Sequence, residues 1–186
     1  YSMILRLLSL INIPLYSLVA LFPVLILSLT FGEQWLGHAE LLRWLALYIL
    51  IISMMNPIGV LLRASGQVKR GFWWNIAITI VRPLIIVFSI KLGIVEMVKM
   101  LVLLQVVLFV LHWVYLIKPV SGLSFERLCL SLAPAVLAFA IVSLFVLICV
   151  QPLLMLPAVY LFAFICVGYA LAIAPQLIKV FKFIRG

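Results

Sequence analysis

The sequence predicts an all-α fold, a polytopic membrane bundle of about six transmembrane helices, and three observations carry that expectation. First, 69% of the 186 residues are hydrophobic and 9% are charged, with a mean hydropathy of +1.45; a soluble domain is about half apolar and about a quarter charged. No water-soluble fold could cover so much apolar surface, so lipid must be the solvent. Second, the apolar residues form stretches close to the roughly 20 residues that a membrane-crossing helix needs. Third, none of these stretches carries the long period-2 alternation of a barrel strand. Helices are then what satisfies the backbone in lipid.

The expected spans follow in order along a single bundle covering residues 1–186. The first runs over 13–31, after Arg6, and Phe31-Gly32-Glu33 ends it. A short loop carries Glu33 and Glu40 into the second span, 41–62. The polar segment Arg63–Gly71 separates it from the third, 72–92, which contains Arg82. Gly93 and Glu96, between Lys91 and Lys99, lead into the fourth span, 100–117. The loop Lys118–Arg127 precedes the fifth, 128–150, and a tight Gln151-Pro152 turn precedes the sixth, 153–174. The tail from Pro175 carries Lys179, Lys182 and Arg185.

A net charge of +9 would suggest nucleic acid in a soluble protein. Here the charges lie mostly between and after apolar spans, so no nucleic-acid partner is expected and the partner is membrane lipid. Nine basic residues (Arg6, Arg63, Lys69, Arg70, Lys118, Arg127, Lys179, Lys182, Arg185) fall on one side and three (Arg43, Lys91, Lys99) on the other. The side richer in Lys and Arg is cytoplasmic, which puts both chain ends there and turns the Gly32–Glu40, Gly93–Val98 and Gln151-Pro152 connections outward. The chain opens on Tyr1 rather than Met, with no cleavage pattern in the first span, and is expected to be part of a longer protein.

Arg82 is the most informative residue. It lies about 14 Å from either end of its span at 1.5 Å per residue, a depth where a charge costs a few kcal/mol or more (about 2.5–3.5 on insertion scales) and faces a bundle interior or a watery cavity. All four carboxylates, Glu33, Glu40, Glu96 and Glu126, lie in loops or at span ends. Its partner is therefore expected to be backbone, water, a further part of the protein or an anionic substrate. Asn75, Thr79, Arg82 and Ser89 share one helical stripe. The second span offers Ser53, Asn56 and Arg63, and the fourth Gln105 and His112. Such stripes serve as interhelical glue or line a polar cavity, and the candidate lining residues are Arg82, Asn75, Thr79, Asn56 and Gln105. Pro23, Pro57, Pro83 and Pro134 deprive the carbonyls of Val19, Ser53, Thr79 and Leu130 of their helical donors. Pro57 and Pro83 are candidate hinges, against the plainer reading of simple kinks.

Enzymatic machinery is missing. No carboxylate pair lies in the membrane, and HExxH, GxSxG, GxGxxG and GxxxxGK[ST] are absent, so no catalytic residue and no cofactor is expected. His112 beside Trp113 reads as an interfacial or structural residue. Glu33, His38 and Glu40 share a loop but match no metal-ligand spacing, and no metal is expected. Cys129, Cys149 and Cys166 form no CxxC and read as small apolar fillers. Gly168/Ala172 and Ala170/Ala174 suit close helix packing.

Several stretches together resemble the polysaccharide exporter branch of the MOP superfamily, the O-antigen and exopolysaccharide flippases. These are Phe31–Trp35 with Ala39–Leu47, Asn56-Pro57-Ile58-Gly59 leading to Leu62–Gln67, and Phe72-Trp73-Trp74-Asn75. They cover about residues 10 to 95; beyond that the likeness lies in span lengths and in Lys118–Gly122. The resemblance implies a multi-pass transporter of the bacterial cytoplasmic membrane with two pseudo-symmetric lobes around a cationic cavity. By alternating access it turns an anionic lipid-linked glycan, carried on a polyprenyl pyrophosphate, to the outer leaflet. This chain would correspond to the C-terminal lobe, with the N-terminal lobe as its missing partner. A drug or cation exporter of the same superfamily and a non-catalytic membrane subunit are the alternatives; a cation site wants intramembrane carboxylates, which this chain does not have.

Overall fold

The computed structural model describes residues 2–145, 148 and 158–185. Helices α1 (Ser2–Leu21) and α2 (Pro23–Thr30) are followed by a 3-10 segment, Glu33–His38. Then come α3 (Ala39–Met55), α4 (Ile58–Ala64) and α5 (Val68–Ser89), with a 3-10 turn at Ile90–Leu92. After α6 (Ile94–His112), a π-helical stretch Trp113–Ile117 runs into α7 (Lys118–Ser121), and α8 (Phe125–Phe145) and α9 (Ala158–Arg185) complete the order. No strand occurs among the described residues. Among the described residues five helical stretches are long and apolar enough to cross a membrane: Met3–Leu21, Glu33–Ala64, Val68–Leu92, Ile94–Ser121 and Phe125–Leu144. Helix α9 adds a shorter apolar stretch, Phe162–Pro175. The chain is an all-α, multi-pass membrane bundle.

Several boundaries differ from those expected. The first helix begins at Ser2 rather than at residue 13, so Arg6 lies inside it, and the residues expected to complete the first span form α2 beyond a break at Phe22. Proline explains the break: Pro23 occupies the first turn of α2, where its missing N–H costs nothing. The fourth helix runs through Lys118 and Pro119 to Ser121, where Gly122 closes it in the left-handed conformation at φ 66°. Helix α9 continues across Pro175 to Arg185; a proline removes one backbone bond without obliging a helix to end in a membrane bundle. Cys149, the Gln151-Pro152 turn and the start of the sixth span lie outside the described residues.

Helix α1 is central, packing against α3 and α8 and touching α9, while α3 also packs on α6, and α5 on α6 and α4. Leu5, Leu10 and Ile13 of α1 are buried with Ala135 of α8 and Ile165 of α9. Two carbonyls near the prolines find donors from other helices. Pro14 cannot donate to Leu10, and the Tyr169 hydroxyl of α9 donates to the Leu10 carbonyl instead, at 2.8 Å. Near the break before Pro23, Arg43 of α3 donates from Nε to the Ala20 carbonyl at 3.1 Å. Arg43, assigned by its charge to an outward flank, thus ties α3 to the end of α1. At Gly168 an added Cβ would stand 3.0 Å from Val142 Cγ1, so α9 lies close against α8 there, as small residues permit.

Helix α5 stands at the margin of this packing. Ser89 is its one buried residue, and Phe72, Trp73, Ile80, Leu84, Val87 and Phe88 are exposed, a surface suited to lipid. Its inward side meets α4 and α6 and carries the polar residues.

Candidate functional site

The turn between α5 and α6 sets the depth of every group on the two helices. Gly93, at φ 98°, adopts a backbone that side-chain-bearing residues avoid and lets α6 return antiparallel to α5. Residues equally distant from Gly93 then lie at equal depth. Arg82 is eleven residues before it and Gln105 twelve after; Trp74 and His112 are both nineteen away. Arg82 Nη2 donates to Gln105 Oε1 at 3.1 Å, and the Trp74 and His112 rings meet edge-on at 5.4 Å.

Arg82 therefore has a protein partner, and it is none of the four expected for it: the neutral amide of Gln105. Gln105 is fully buried, and its amide nitrogen points to Met55 Sδ of α3 at 2.7 Å. The guanidinium also lies over the Tyr48 ring, 5.9 Å from its centroid. This chain of contacts joins α5, α6 and α3 but brings no negative charge. Arg82 Nε is buried without a hydrogen-bond partner among the described residues, and so are both ring nitrogens of His112. The Met55 backbone carbonyl approaches the His112 ring without meeting hydrogen-bond geometry.

These groups border one cavity of about 360 Å³ between α3, α4, α5 and α6. Arg82, Asn75, Thr79, Asn56 and Gln105 all line it, together with Met55, Trp74, His112 and Leu116. Asn56 and Pro57 form the turn that separates α3 from α4, and the Gly59 N–H bonds to the Asn56 carbonyl at 3.3 Å. Pro57 is buried in this break, whereas Pro83 sits within the unbroken helix α5. Asn75 and Thr79 are exposed and Arg82 is half-buried, so the cavity opens along the inward edge of α5. No carboxylate lines it.

The rest of the expected stripes divide. Ser89 turns its hydroxyl onto the Ile85 carbonyl, Ser53 onto that of Leu50 at 2.7 Å, and Arg63 is exposed away from the cavity. A serine in a helix satisfies itself on the preceding turn, so a stripe counts it as polar although it offers nothing to a ligand. His112 is 3% exposed, buried where α6 passes into the π-helical stretch. Met55, Tyr48 and Trp74 carry no polar-stripe signal; of these, Trp74 alone belongs to a stretch singled out in the sequence, Phe72-Trp73-Trp74-Asn75, which carries the family resemblance.

At the opposite end of α6, Lys99 pairs with Glu96 at 2.7 Å and Glu40 at 3.1 Å and lies over the Trp44 ring. Glu40 is thus engaged by Lys99, and the His38 ring stands by Trp35, 5.4 Å between centroids. Among the described residues no group of His, Cys, Asp and Glu is placed to hold a metal.

Comparison with known proteins gives two partial similarities. The chain is 33% identical over 105 residues, 56% of its length, to the lipopolysaccharide biosynthesis protein WzxC of Escherichia coli (strain K12). It is 29% identical over 90 residues, 47% of its length, to the teichuronic acid biosynthesis protein TuaB of Bacillus subtilis (strain 168). The matched stretches span 21% and 18% of those two proteins. No family model matches the chain, and no solved structure does. This multi-pass helical membrane protein is therefore similar, over about half its length, to bacterial proteins named for lipopolysaccharide and teichuronic acid biosynthesis.

Proposed function

We propose that this chain is part of a transporter that moves an anionic lipid-linked oligosaccharide across the bacterial cytoplasmic membrane by alternating access, and that the α3–α6 cavity holds the anionic group. Both chain ends lie in the cytoplasm in this reading, in keeping with the nine-to-three distribution of basic residues. The observation that carries it is Arg82: a guanidinium deep in its span, hydrogen-bonded to a neutral amide, in a cavity without a carboxylate. A charge so placed calls for a counter-charge, and a pyrophosphate bridging a polyprenol and a sugar supplies one. Arginine grips phosphate oxygens through two parallel N–H bonds, whereas lysine acts as a point charge. Asn75, Thr79 and Asn56 add hydrogen-bonding groups of the kind that sugars and phosphates accept. The names of the two similar proteins agree with a polysaccharide-linked role. A cation cargo would want a carboxylate, which the cavity lacks.

The test is glycan export in cells carrying the full-length protein. Arg82→Ala should cut export by about tenfold or more, the scale of one lost charge-assisted contact. Arg82→Lys should retain part of it, and both proteins should reach the membrane at wild-type levels. Wild-type export by Arg82→Ala would refute the assignment; degradation of that variant would make Arg82 a structural residue.

A further inference from the structure

We propose that His112 is a second anion contact in the same cavity and that it takes up a proton when the ligand binds. The inference rests on the reading of the cavity as an anion site and adds to it a residue and a charge state. Four observations meet at this residue. His112 is 3% exposed and lines the cavity. Neither ring nitrogen has a hydrogen-bond partner among the described residues. A neutral imidazole presents one donor and one acceptor, so even if the Met55 carbonyl took its proton the other nitrogen would stay unmatched, a state that buried polar groups avoid. Finally, α6 changes to a π-helical stretch at Trp113, immediately after His112, and such stretches recur where a functional side chain is presented.

Charge completes the argument. A diphosphate bridging two substituents carries two negative charges, and Arg82 neutralises one. Among the described residues lining the cavity Arg82 is the one charged group; α3 presents Met55, the α3–α4 turn Asn56, α5 presents Trp74, Asn75 and Thr79, and α6 presents Gln105. Tyr115 stacks on Trp74, 6.1 Å between centroids. Nothing there competes with the ligand for a proton, and no carboxylate holds His112 charged beforehand. Arg82 disfavours an imidazolium in the empty cavity; a dianion reverses that field. The Gln105 and His112 levels are seven residues apart, about 10 Å along α6, more than the separation of the two phosphates in one diphosphate, so the long Arg82 side chain, which lines the cavity with His112, has to span the difference. Protonated, the ring donates from both nitrogens and becomes the second cation.

The experiment uses the full-length protein in lipid nanodiscs and farnesyl-diphospho-N-acetylglucosamine, whose esterified phosphates do not titrate near neutrality. Calorimetry in two buffers of different ionisation enthalpy counts the protons bound. The wild type should take up close to one proton per ligand near neutrality, between the pH at which the ring titrates without ligand and the higher pH at which it titrates with ligand bound, and Kd should weaken by up to tenfold per pH unit across that interval. His112→Gln should bind with the weaker Kd at every pH and take up none. Proton uptake that persists in His112→Gln overturns the proposal. So does zero uptake by the wild type, a measurement that needs no variant. If Arg82→Ala loses binding while the wild type takes up no proton, the anion site stands and the role of His112 falls. If Arg82→Ala binds like the wild type, the anion site itself is wrong and the role of His112 falls with it.

Discussion

The hydrogen bond between Arg82 and Gln105 makes a quantitative prediction that is independent of transport. Replacing Gln105 with Leu removes the acceptor and leaves a guanidinium N–H unmatched. Replacing Arg82 with Met leaves Gln105 Oε1, on a side chain with no exposure, without its donor at 3.1 Å. A hydrogen bond to a charged group contributes about 1.5–3 kcal/mol in a protein interior, whereas bonds between membrane helices average about 0.6 kcal/mol. Arg82 is half-buried and lines the cavity, so water there can replace part of what Gln105 supplies. The expected coupling between the two positions is therefore about 1 kcal/mol, roughly a fivefold change in the folding equilibrium. The assay is reversible unfolding in mixed micelles of the wild type, Gln105→Leu, Arg82→Met and the double variant. The double variant should be more stable than the summed single effects imply, because it leaves neither group orphaned. Additivity within about 0.5 kcal/mol, the scatter of independent sites, would refute the contact.

Three further outcomes are expected. Gly168→Leu should destabilise the bundle by about 1–3 kcal/mol through overpacking, since even a Cβ there stands 3.0 Å from Val142, with Gly168→Ala milder in the same assay; a neutral Gly168→Leu would mean that α9 does not lie on α8. In a background free of native cysteines, a cysteine at Gln34 should react with an impermeant thiol reagent from outside intact cells and one at Ser65 should not; the reverse pattern would invert the topology. If the break at Pro57 and the missing N–H at Pro83 allow the helices to rock, Pro57→Ala and Pro83→Ala should lower export in the full-length protein at unchanged expression, and unchanged export in both would remove the hinge idea.

What the sequence told and what it withheld divide along physical lines. Hydropathy specified the helices because lipid demands long apolar runs, and the polar residues on three spans marked the faces that meet at the cavity. It places the start of α1 too late because Arg6 looks like the flank of a span, and the ends of α6 and α9 too early because Lys118-Pro119 and Pro175 look like boundaries, whereas a proline inside a bundle needs only a substitute donor, as Pro14 shows with the Tyr169 hydroxyl. The polar stripes place Gln105 among the cavity-lining candidates but do not pair it with Arg82, because a stripe reports a face and not a depth. Counting outward from Gly93 would have found it, and would have paired Trp74 with His112 too. The burial of His112 was not legible, since a histidine near a span end beside a tryptophan looks the same whether it faces headgroups or a cavity. Nor does any periodicity report a π-helical stretch, whose extra residue per turn depends on tertiary packing.

The pairing of α5 with α6 across Gly93 bears on how the chain enters the bilayer. A lone span carrying Arg82 would meet an insertion cost of about 2.5–3.5 kcal/mol at mid-depth. Joined by a turn of a few residues, α5 and α6 can pass into lipid as one helical hairpin with Gln105 already opposite the guanidinium. The charge is then escorted from the first moment of insertion by a group made twenty-three residues later on the same ribosome. Lengthening the turn at Gly93 would delay that escort, and the defect would show during biogenesis, as failed integration of α5, before any glycan is encountered.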